Sequence, residues 1–358
     1  MSALHIVDDE FRRAVPEPTA PPTRFSVNLS ERCQLQCAHC ITNAPALTAS
    51  GAARDLGDDV VEALAPHLVH AAYVGLVHAG EPMLAPAFER LLTVVKRARA
   101  GAPTVVHLLT NGMAMTPARF ERVLELGVTS LSFSLDGMSA ASNDVLRIGS
   151  RVDVLTQRIA ILSREVRPML RSTVRMGVSF VVTHANLGEL PALVRFAHDA
   201  RLDWVKLEEV FAHNDVSRAL VVDRYALDVA VAGARSLGDK LGVPVLDHTR
   251  PLTVWKCQLD ADPRMAARSR LDDVVNRAEL NPCRAAWEVV CVEPNGDLKP
   301  LSFHHDVGGN VLDVDNGGLA HAWRTSPAFV SARTRTRTTR LCGAGPTTCA
   351  PDPGPASW

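Results

Sequence analysis

The chain has 358 residues, 47% of them hydrophobic, with eight cysteines and a formal net charge of −1. This length suits one large α/β domain with a small appended domain, and the near-zero charge excludes a global field suited to nucleic acid or an anionic membrane. The longest apolar runs are too short to cross a bilayer and no secretory signal precedes them, so we expect a cytoplasmic protein whose cysteines serve metal or redox chemistry.

The first 24 residues are rich in proline and predict a loosely ordered lead-in that is too short for a separate peptide-recognition domain. From Phe25 onward, stretches with a two-residue apolar period alternate with stretches of helical period. Strands are predicted at 25–29, 72–77, 105–110, 130–135, 176–182 and 204–210. Helices are predicted at 58–67, 87–98, 117–126, 152–164, 187–200 and 224–241.

Six strands separated by helices predict an α/β fold, a partial (β/α)6 TIM-like barrel over residues 25–250. In such folds the functional loops follow the C-terminal ends of the strands. Beyond residue 250 the sequence becomes rich in loop signals and contains five of the eight cysteines. We therefore expect a small second domain over residues 251–358.

Three cysteines follow the first predicted strand, Cys33, Cys37 and Cys40, in a C-x3-C-x2-C spacing. A cubane iron–sulfur cluster usually takes four cysteines, so three would leave one iron open to another ligand. A zinc site would need a fourth ligand such as His39, and disulfides cannot pair three thiols. The spacing resembles the signature of the radical S-adenosylmethionine (SAM) family, in which the open iron chelates the amino and carboxylate groups of SAM. We expect the His39 ring to pack over such a cluster.

A second element resembling this family follows the second predicted strand. The segment Ala79-Gly80-Glu81-Pro82 is similar to the family's G-G-E-P element, with Ala79 in place of the first glycine. The resemblance implies a close backbone edge and an acceptor for the SAM ammonium, and glycine allows the main chain to approach closely. Taken alone, Gly-Glu-Pro is more often a plain turn.

Polar residues at the ends of the third and fourth predicted strands also resemble family elements. Asn111 ends the third strand, and Ser134 and Asp136 end the fourth. The resemblance makes Ser134 and Asp136 candidates to hold the ribose or carboxylate of SAM, and it makes Arg147 a candidate for the carboxylate. The alternatives are ordinary Asn-Gly and Asp-Gly turns and a solvated helix arginine.

The sixth predicted strand supplies candidates for work on the substrate. Alternation places Lys206 and Glu208 on one face and Glu209 on the other. Glu208 or Glu209 could bind a substrate ammonium or hydroxyl, or accept a proton, and the alternative is a salt bridge to a neighbouring helix. Further along, the alternating arginines from Arg333 to Arg340 predict a solvated face rather than an anionic-substrate site.

The C-terminal region resembles the SPASM/twitch extension of radical SAM enzymes, which holds auxiliary clusters. Cys283 and the hairpin glycine Gly296 match, but Leu301 stands where the second cysteine is expected. One auxiliary [4Fe-4S] cluster is expected, and inert buried thiols are the alternative. Its candidate ligands are Cys257, Cys283, Cys291, Cys342 and Cys349. Cys257 is also a candidate hydrogen-atom donor to a substrate radical.

The resemblance implies an enzyme that uses a [4Fe-4S] cluster and SAM to make a 5′-deoxyadenosyl radical, with a flavodoxin- or ferredoxin-type electron donor. Few auxiliary cysteines and no N-terminal peptide-recognition domain favour a small polar metabolite, such as an amino-sugar, aminocyclitol or sugar nucleoside, for dehydrogenation or epimerisation. The alternative is maturation of a ribosomal peptide by a thioether or carbon–carbon crosslink or by epimerisation. A non-catalytic iron–sulfur carrier or sensor is a remote third hypothesis.

Overall fold

A computed structural model describes residues 3–77, 79–249, 285–300 and 306–339. These residues form two units. Unit 1 contains the described residues of 3–31, 54–107 and 285–339, and unit 2 contains residues 32–53 and 108–249. Both units are discontinuous in sequence, and the expected domains over residues 25–250 and 251–358 stay a prediction.

The structure confirms the expected α/β class with a parallel sheet. The strands are β1 (Arg24–Val27), β2 (Gln36–Cys37), β3 (Tyr73–Leu76), β4 (Val105–Thr110), β5 (Ser130–Ser134), β6 (Arg147–Ile148), β7 (Arg175–Val182), β8 (Trp204–Glu209), β9 (Val245–His248), β10 (Val289–Val292), β11 (Asp297–Lys299) and β12 (Gly309–Asn310). All six predicted strands are present within two residues of their expected ends, as β1, β3, β4, β5, β7 and β8.

Helices separate the parallel strands at the expected places. They are α1 (Ala3–Arg12), α2 (Ala44–Ser50), α3 (Asp58–Leu64), α4 (Phe88–Ala98), α5 (Pro117–Glu125), α6 (Val152–Ile161), α7 (Arg167–Met169), α8 (Leu190–Asp199), α9 (Asp215–Ala219), α10 (Arg224–Leu241), α11 (Ala285–Glu288), α12 (Gly318–Thr325) and α13 (Pro327–Thr339). Two wider π-helical turns occur at Ala140–Asp144 and Leu162–Val166. Among the helices of the described residues, none is both long and apolar enough to cross a bilayer.

In unit 1 the strand order is β12-β11-β10-β1-β3. Strand β1 pairs in parallel with β3 on one side and with β10 on the other. Its Phe25 and Val27 side chains are fully buried, as expected for a strand inside a parallel sheet. Strands β10 and β11 form the expected antiparallel hairpin, and Gly296 at its turn has a φ of 85°, a conformation that favours glycine.

The N-terminal segment is ordered by packing within unit 1, so the expectation of a loose lead-in is wrong. Helix α1 buries Val7 in a cluster with Ala20 and Trp287. The Trp287 indole donates to the Val15 carbonyl at 2.8 Å. The Glu10 carboxylate accepts from the Thr19 backbone N–H at 2.6 Å and the Ala20 N–H at 3.1 Å.

Arg333 on α13 is fully buried, which contradicts the expected solvated face at this position. Its guanidinium donates to the carbonyls of Ala286, Pro16 and Trp323 at 2.9, 2.9 and 2.8 Å. It also lies 4.4 Å from the centre of the Trp323 ring. Burial lowers the pKa of Arg333 to about 9, and Glu10 offsets this only in part. The arginine therefore stays charged at neutral pH and joins three segments of unit 1.

In unit 2 the strand order is β5-β7-β8-β9, and all of these pairs are parallel. Ser134, Ser179 and Lys206 share one row across β5, β7 and β8. This row is the end of β5, whereas β7 and β8 continue beyond it to Val182 and Glu209. A separate two-stranded ladder joins β2 of the cysteine loop to β6. Strand β9 was not predicted, because its four residues carry too little alternation to stand out.

Candidate functional site

The cysteine loop lies in unit 2, and it is anchored by the apolar Leu35, which is only 1% exposed. Cys33, Cys37 and Cys40 are thiols on one half-buried loop. The Leu35 N–H donates to the Cys33 Sγ at 3.4 Å, and the Cys40 N–H donates to the Cys37 carbonyl at 3.2 Å. A short turn therefore presents all three sulfurs from a fixed backbone.

Burial raises the pKa of the Cys37 thiol to about 11, and Arg147 opposes this rise. Cys37 stands directly across the β2–β6 ladder from Arg147. A thiol with such a pKa is protonated at neutral pH, so binding of a metal centre must release its proton. The positive guanidinium beside it favours that release.

Asp136 follows β5 and is fully buried, with both carboxylate oxygens engaged. Its Oδ2 accepts from Arg147 Nη1 at 2.6 Å and lies 3.0 Å from His39 Nε2. Its Oδ1 accepts from the Val181 backbone N–H at 2.7 Å. Asp136 thus ties the cysteine loop, β6 and β7 together, and its expected contact with the ribose or carboxylate of SAM stays a prediction.

The electrostatics keep this buried pair ionised. Burial alone would raise the pKa of Asp136, but Arg147, His39 and the Val181 N–H together hold it well below its ordinary value. Burial would lower the pKa of Arg147, but Cys37 and Asp136 raise it above its ordinary value. Arg147 lies on a short strand with a side chain 11% exposed, so the alternative of a solvated helix arginine is wrong.

The loop between Asp136 and β6 is held by residues that the sequence analysis missed. The Asn143 Oδ1 accepts from the Asp136 N–H at 3.0 Å, and Asn186 Nδ2 donates to the Asp136 carbonyl at 2.9 Å. Glu189 accepts from the Met138 N–H at 2.6 Å, and its oxygens also accept from two serine hydroxyls at 139 and 142. The sequence signal that could have identified these residues is that polar residues follow two of the predicted strands, because the loops after parallel strands lie at the same edge of the sheet.

Asn111 lies against the cysteine loop, as its predicted place at a strand end allows. Its Oδ1 accepts from Gln34 Nε2 at 3.1 Å and from the Met113 N–H at 3.0 Å. Its Nδ2 lies 3.8 Å from the Cys33 Sγ and can donate to it. Asn111 therefore orients the first cysteine of the loop, and a cofactor contact by this residue remains a prediction.

The predicted carboxylates on β8 have separate environments. Glu208 lies 3.4 Å from the Lys206 ammonium and directly across from the buried His248 on β9. Glu209 lies 3.5 Å from the guanidinium of Arg224 on α10. The salt-bridge alternative therefore describes Glu209, whereas Glu208 shares its face with Lys206 and the row that contains Ser134.

The Ala79-Gly80-Glu81-Pro82 element lies in unit 1 and forms a turn after β3. Glu81 is 1% exposed and caps the turn Pro82–Leu84 by accepting from the Met83 N–H at 3.2 Å. Ala79 and Gly80 are half-buried. Their predicted role toward the SAM ammonium stays a prediction.

Of the five predicted auxiliary-cluster ligands, the structure describes Cys291. Cys257, Cys283, Cys342 and Cys349 lie outside the described residues. Cys291 is 1% exposed on β10, between its neighbours Ser26 on β1 and Lys299 on β11. A buried thiol inside a sheet favours the inert alternative for Cys291.

The residues around the loop fit an iron–sulfur cluster better than a single metal ion. Within the described residues, no group of three Cys, His, Asp or Glu side chains is arranged to hold a single metal ion. A cubane binds each cysteine through a different iron, so separated thiols suit it. Beside the loop, the buried His39 Nδ1 and Arg147 Nε have no hydrogen-bond partner in the part of the chain that the structure describes, and a bound group with acceptor atoms would satisfy them.

A sequence model of the Radical SAM superfamily matches residues 27–196, from β1 through most of α8. Residues 27–196 therefore belong to the radical SAM superfamily, and the protein is a radical SAM enzyme. The cofactors of this enzyme are a [4Fe-4S] cluster and SAM, as the cysteine spacing suggested.

Curated relatives extend the similarity beyond that region. The chain is 29% identical over 231 residues to pre-heme d1 synthase of Dinoroseobacter shibae, covering 61% of this chain and 52% of that protein, about half its length. It is 24% identical over 345 residues to the mycofactocin maturase MftC of Mycobacterium tuberculosis, covering 91% of this chain and 75% of MftC. It is also 24% identical to the PqqA peptide cyclase of Rhizobium meliloti, covering 93% of this chain and 81% of the cyclase.

Solved structures show the same fold. SuiB of Streptococcus suis bound to its precursor peptide SuiA superposes with a TM-score of 0.66 at 14% identity, covering 94% of this chain and 73% of SuiB. The anSMEcpe structure with bound AdoMet gives a TM-score of 0.61 at 14% identity, covering 92% and 89%. The expected partial barrel of radical SAM enzymes is thereby confirmed as the fold class.

Proposed function

We propose that this radical SAM enzyme modifies a ribosomally made peptide. The supporting observation is sequence similarity to a mycofactocin maturase and a PqqA peptide cyclase over 91% and 93% of this chain, well beyond the superfamily core. This proposal replaces the small polar metabolite as the favoured substrate class. The earlier preference rested on cysteine counts and on the lack of a peptide-recognition domain, and neither feature tests what the barrel binds.

In this proposal Cys33, Cys37 and Cys40 hold the [4Fe-4S] cluster. When bound, the cluster and SAM supply a 5′-deoxyadenosyl radical that abstracts hydrogen from the substrate. Asn111 orients Cys33 through its 3.8 Å contact, and the Asp136 network fixes the loop. Glu208, held by Lys206 at 3.4 Å, is placed to bind a peptide ammonium or hydroxyl or to accept a proton.

The experiment uses the anaerobically reconstituted full chain with SAM, a reductant and an extract from cells grown in heavy water. Hydrogen abstraction from a deuterated substrate places deuterium in 5′-deoxyadenosine, which mass spectrometry separates from uncoupled SAM cleavage. Protease treatment of the extract divides the hypotheses. Loss of deuterium transfer after proteolysis supports a peptide, and undiminished transfer refutes it.

A non-peptide substrate is the second candidate, supported by the 29% identity to pre-heme d1 synthase over 61% of this chain. In the same experiment it predicts transfer that survives proteolysis and follows the low-mass fraction of the extract. The matched control is the variant with Cys33, Cys37 and Cys40 all changed to Ala, which should transfer no deuterium with any fraction.

The same triple variant tests an auxiliary cluster and the electron supply. We propose one auxiliary [4Fe-4S] cluster on cysteines of the C-terminal region and a flavodoxin- or ferredoxin-type donor. About four irons retained by the triple variant after reconstitution would support the auxiliary cluster, and no iron would refute it. Turnover with reduced flavodoxin or ferredoxin in place of a chemical reductant tests the donor.

A further inference from the structure

A buried positive charge stands beside the cysteine loop. Cys37 and Arg147 are directly opposite in the antiparallel β2–β6 ladder, and side chains opposite each other in such a ladder lie on the same face. Arg147 interacts electrostatically with both Cys37 and Cys33. Its side chain is 11% exposed, so solvent and salt screen this interaction only weakly.

A buried negative charge partly compensates that arginine. Asp136 is 1% exposed at its side chain and accepts from Arg147 Nη1 at 2.6 Å. Asp136 itself stands outside the β2–β6 ladder, whereas Arg147 is the member of the pair that lies directly across that ladder from Cys37. The loop therefore lies in the field of a fixed ion pair whose positive member dominates.

The ion pair is restrained because both carboxylate oxygens of Asp136 have further partners besides Arg147. The Val181 N–H fixes one carboxylate oxygen at 2.7 Å, and His39 lies 3.0 Å from the other. Gly137, the next residue, has no room for a side chain, since a Cβ there would lie 2.1 Å from the Ser142 hydroxyl oxygen. The orientation of the ion pair toward the cysteines is thus a property of the fold.

We propose that the Asp136–Arg147 ion pair sets the reduction potential of the cluster bound by Cys33, Cys37 and Cys40. The inference rests on the proposed role of these cysteines as ligands. Reduction adds one electron to the cluster, which a nearby positive charge stabilises and a negative charge opposes. Net charge and hydrogen bonding around a cluster are known determinants of its potential. Both residues are positioning residues, since neither needs to touch the substrate.

The test is an anaerobic potentiometric titration of the full chain without SAM, using titanium(III) citrate as the electron source and electron paramagnetic resonance as the readout. The signal absent from the triple cysteine variant identifies the relevant cluster. Asp136→Asn should raise the potential, because Arg147 loses its compensating charge. Arg147→Gln should lower it, because Asp136 remains. We expect a change of about tenfold in the ratio of reduced to oxidised cluster in each direction, about 59 mV for one electron.

Two control variants separate charge from shape. Arg147→Lys keeps the positive charge and should stay close to the wild-type potential, whereas a need for the planar guanidinium would move it as far as Arg147→Gln does. Asp203→Asn removes the carboxylate of another Arg–Asp pair of unit 2, in which Asp203 lies 2.7 Å from Arg167. Asp203 directly precedes β8, whereas Asp136 follows a strand. Asp203→Asn should leave the potential unchanged.

Shifts of the same sign in the two single variants, or shifts of less than about twofold in the ratio with normal iron content, would overturn the proposal. If a single variant fails to load a cluster, the double variant Asp136→Asn with Arg147→Gln decides. The proposal expects it to load iron and to have a potential below wild type, because the dominant positive charge is gone. Failure of a folded double variant to load iron would mean that the pair only holds the loop. If the triple cysteine variant keeps the full wild-type iron content and every electron paramagnetic resonance signal of the wild type, the ligand assignment itself is refuted.

Discussion

Replacing Arg333 with Met should strongly destabilise unit 1. The guanidinium is fully buried and donates to three carbonyls, those of Ala286, Pro16 and Trp323, at 2.8–2.9 Å. Methionine fills a similar volume but has no donor. The substitution therefore leaves three carbonyls without their partner and removes the contact with the Trp323 ring.

The magnitude follows from terms of opposite sign. Three hydrogen bonds from a charged donor contribute about 6 kcal/mol together, and the desolvated cation–π contact contributes about 2 kcal/mol. Burying the charged guanidinium costs about 5 kcal/mol, and the substitution removes this cost. We therefore expect Arg333→Met to lower the free energy of unfolding by about 3 kcal/mol.

The assay is urea unfolding of the full chain, followed by the fluorescence of the buried Trp287 and Trp323. The matched control is Arg13→Met, because Arg13 is 70% exposed and pairs with Asp9, which is 61% exposed and lies four residues earlier. An exposed pair of this kind contributes less than about 1 kcal/mol. If Arg333→Met and Arg13→Met unfold at the same urea concentration, the buried hydrogen bonds of Arg333 do not stabilise the fold as argued.

Three further predictions concern unit 2. Glu208→Gln should slow substrate-dependent 5′-deoxyadenosine formation by at least about tenfold while Glu209→Gln changes it less than about twofold, and equal losses in the two variants would contradict their different environments. Hydrogen bonds from two serines and the Met138 N–H outweigh burial and lower the pKa of Glu189, so its contribution to stability is present above about pH 4.3 and is lost as the pH falls through the lowered value. The stability difference between wild type and Glu189→Gln, measured by urea unfolding across acidic pH, should therefore shrink at low pH rather than grow. Gly137→Ala should lower iron loading and thermal stability together, because the added Cβ meets the Asn143 backbone nitrogen at 2.4 Å, and Gly188→Ala, with open space around it, should change neither.

Local sequence patterns predicted the parallel strands well, because each buried strand is a short run of mostly apolar residues that can be recognised along the chain. Strands β5 and β7 were placed within one residue of their observed ends. The patterns did not predict α1 as an ordered element, since prolines after it suggested a loose chain. What orders α1 is contact with Trp287, which is distant in sequence. No local pattern contains that information.

The candidate site divides in the same way. The spacing of Cys33, Cys37 and Cys40 identified the superfamily and its cofactors without any structure, because a loop that binds one cluster must carry its ligands close together in sequence. Alternation along β8 also separated Glu208 from Glu209. The sequence did not show whether Glu208 or Glu209 would pair with an arginine. The partner, Arg224, lies on α10, and only the tertiary structure brings it next to Glu209.

The sequence by itself determined the fold class, the cysteine loop and the cofactor chemistry, since each depends on residues adjacent along the chain or on a local period. Only the tertiary structure decided that Asp136 is a buried partner of both Arg147 and His39. Ion pairs between residues on separate loops depend on where β5, β6 and the cysteine loop meet. That meeting is fixed by packing and strand register, which no short stretch of sequence encodes.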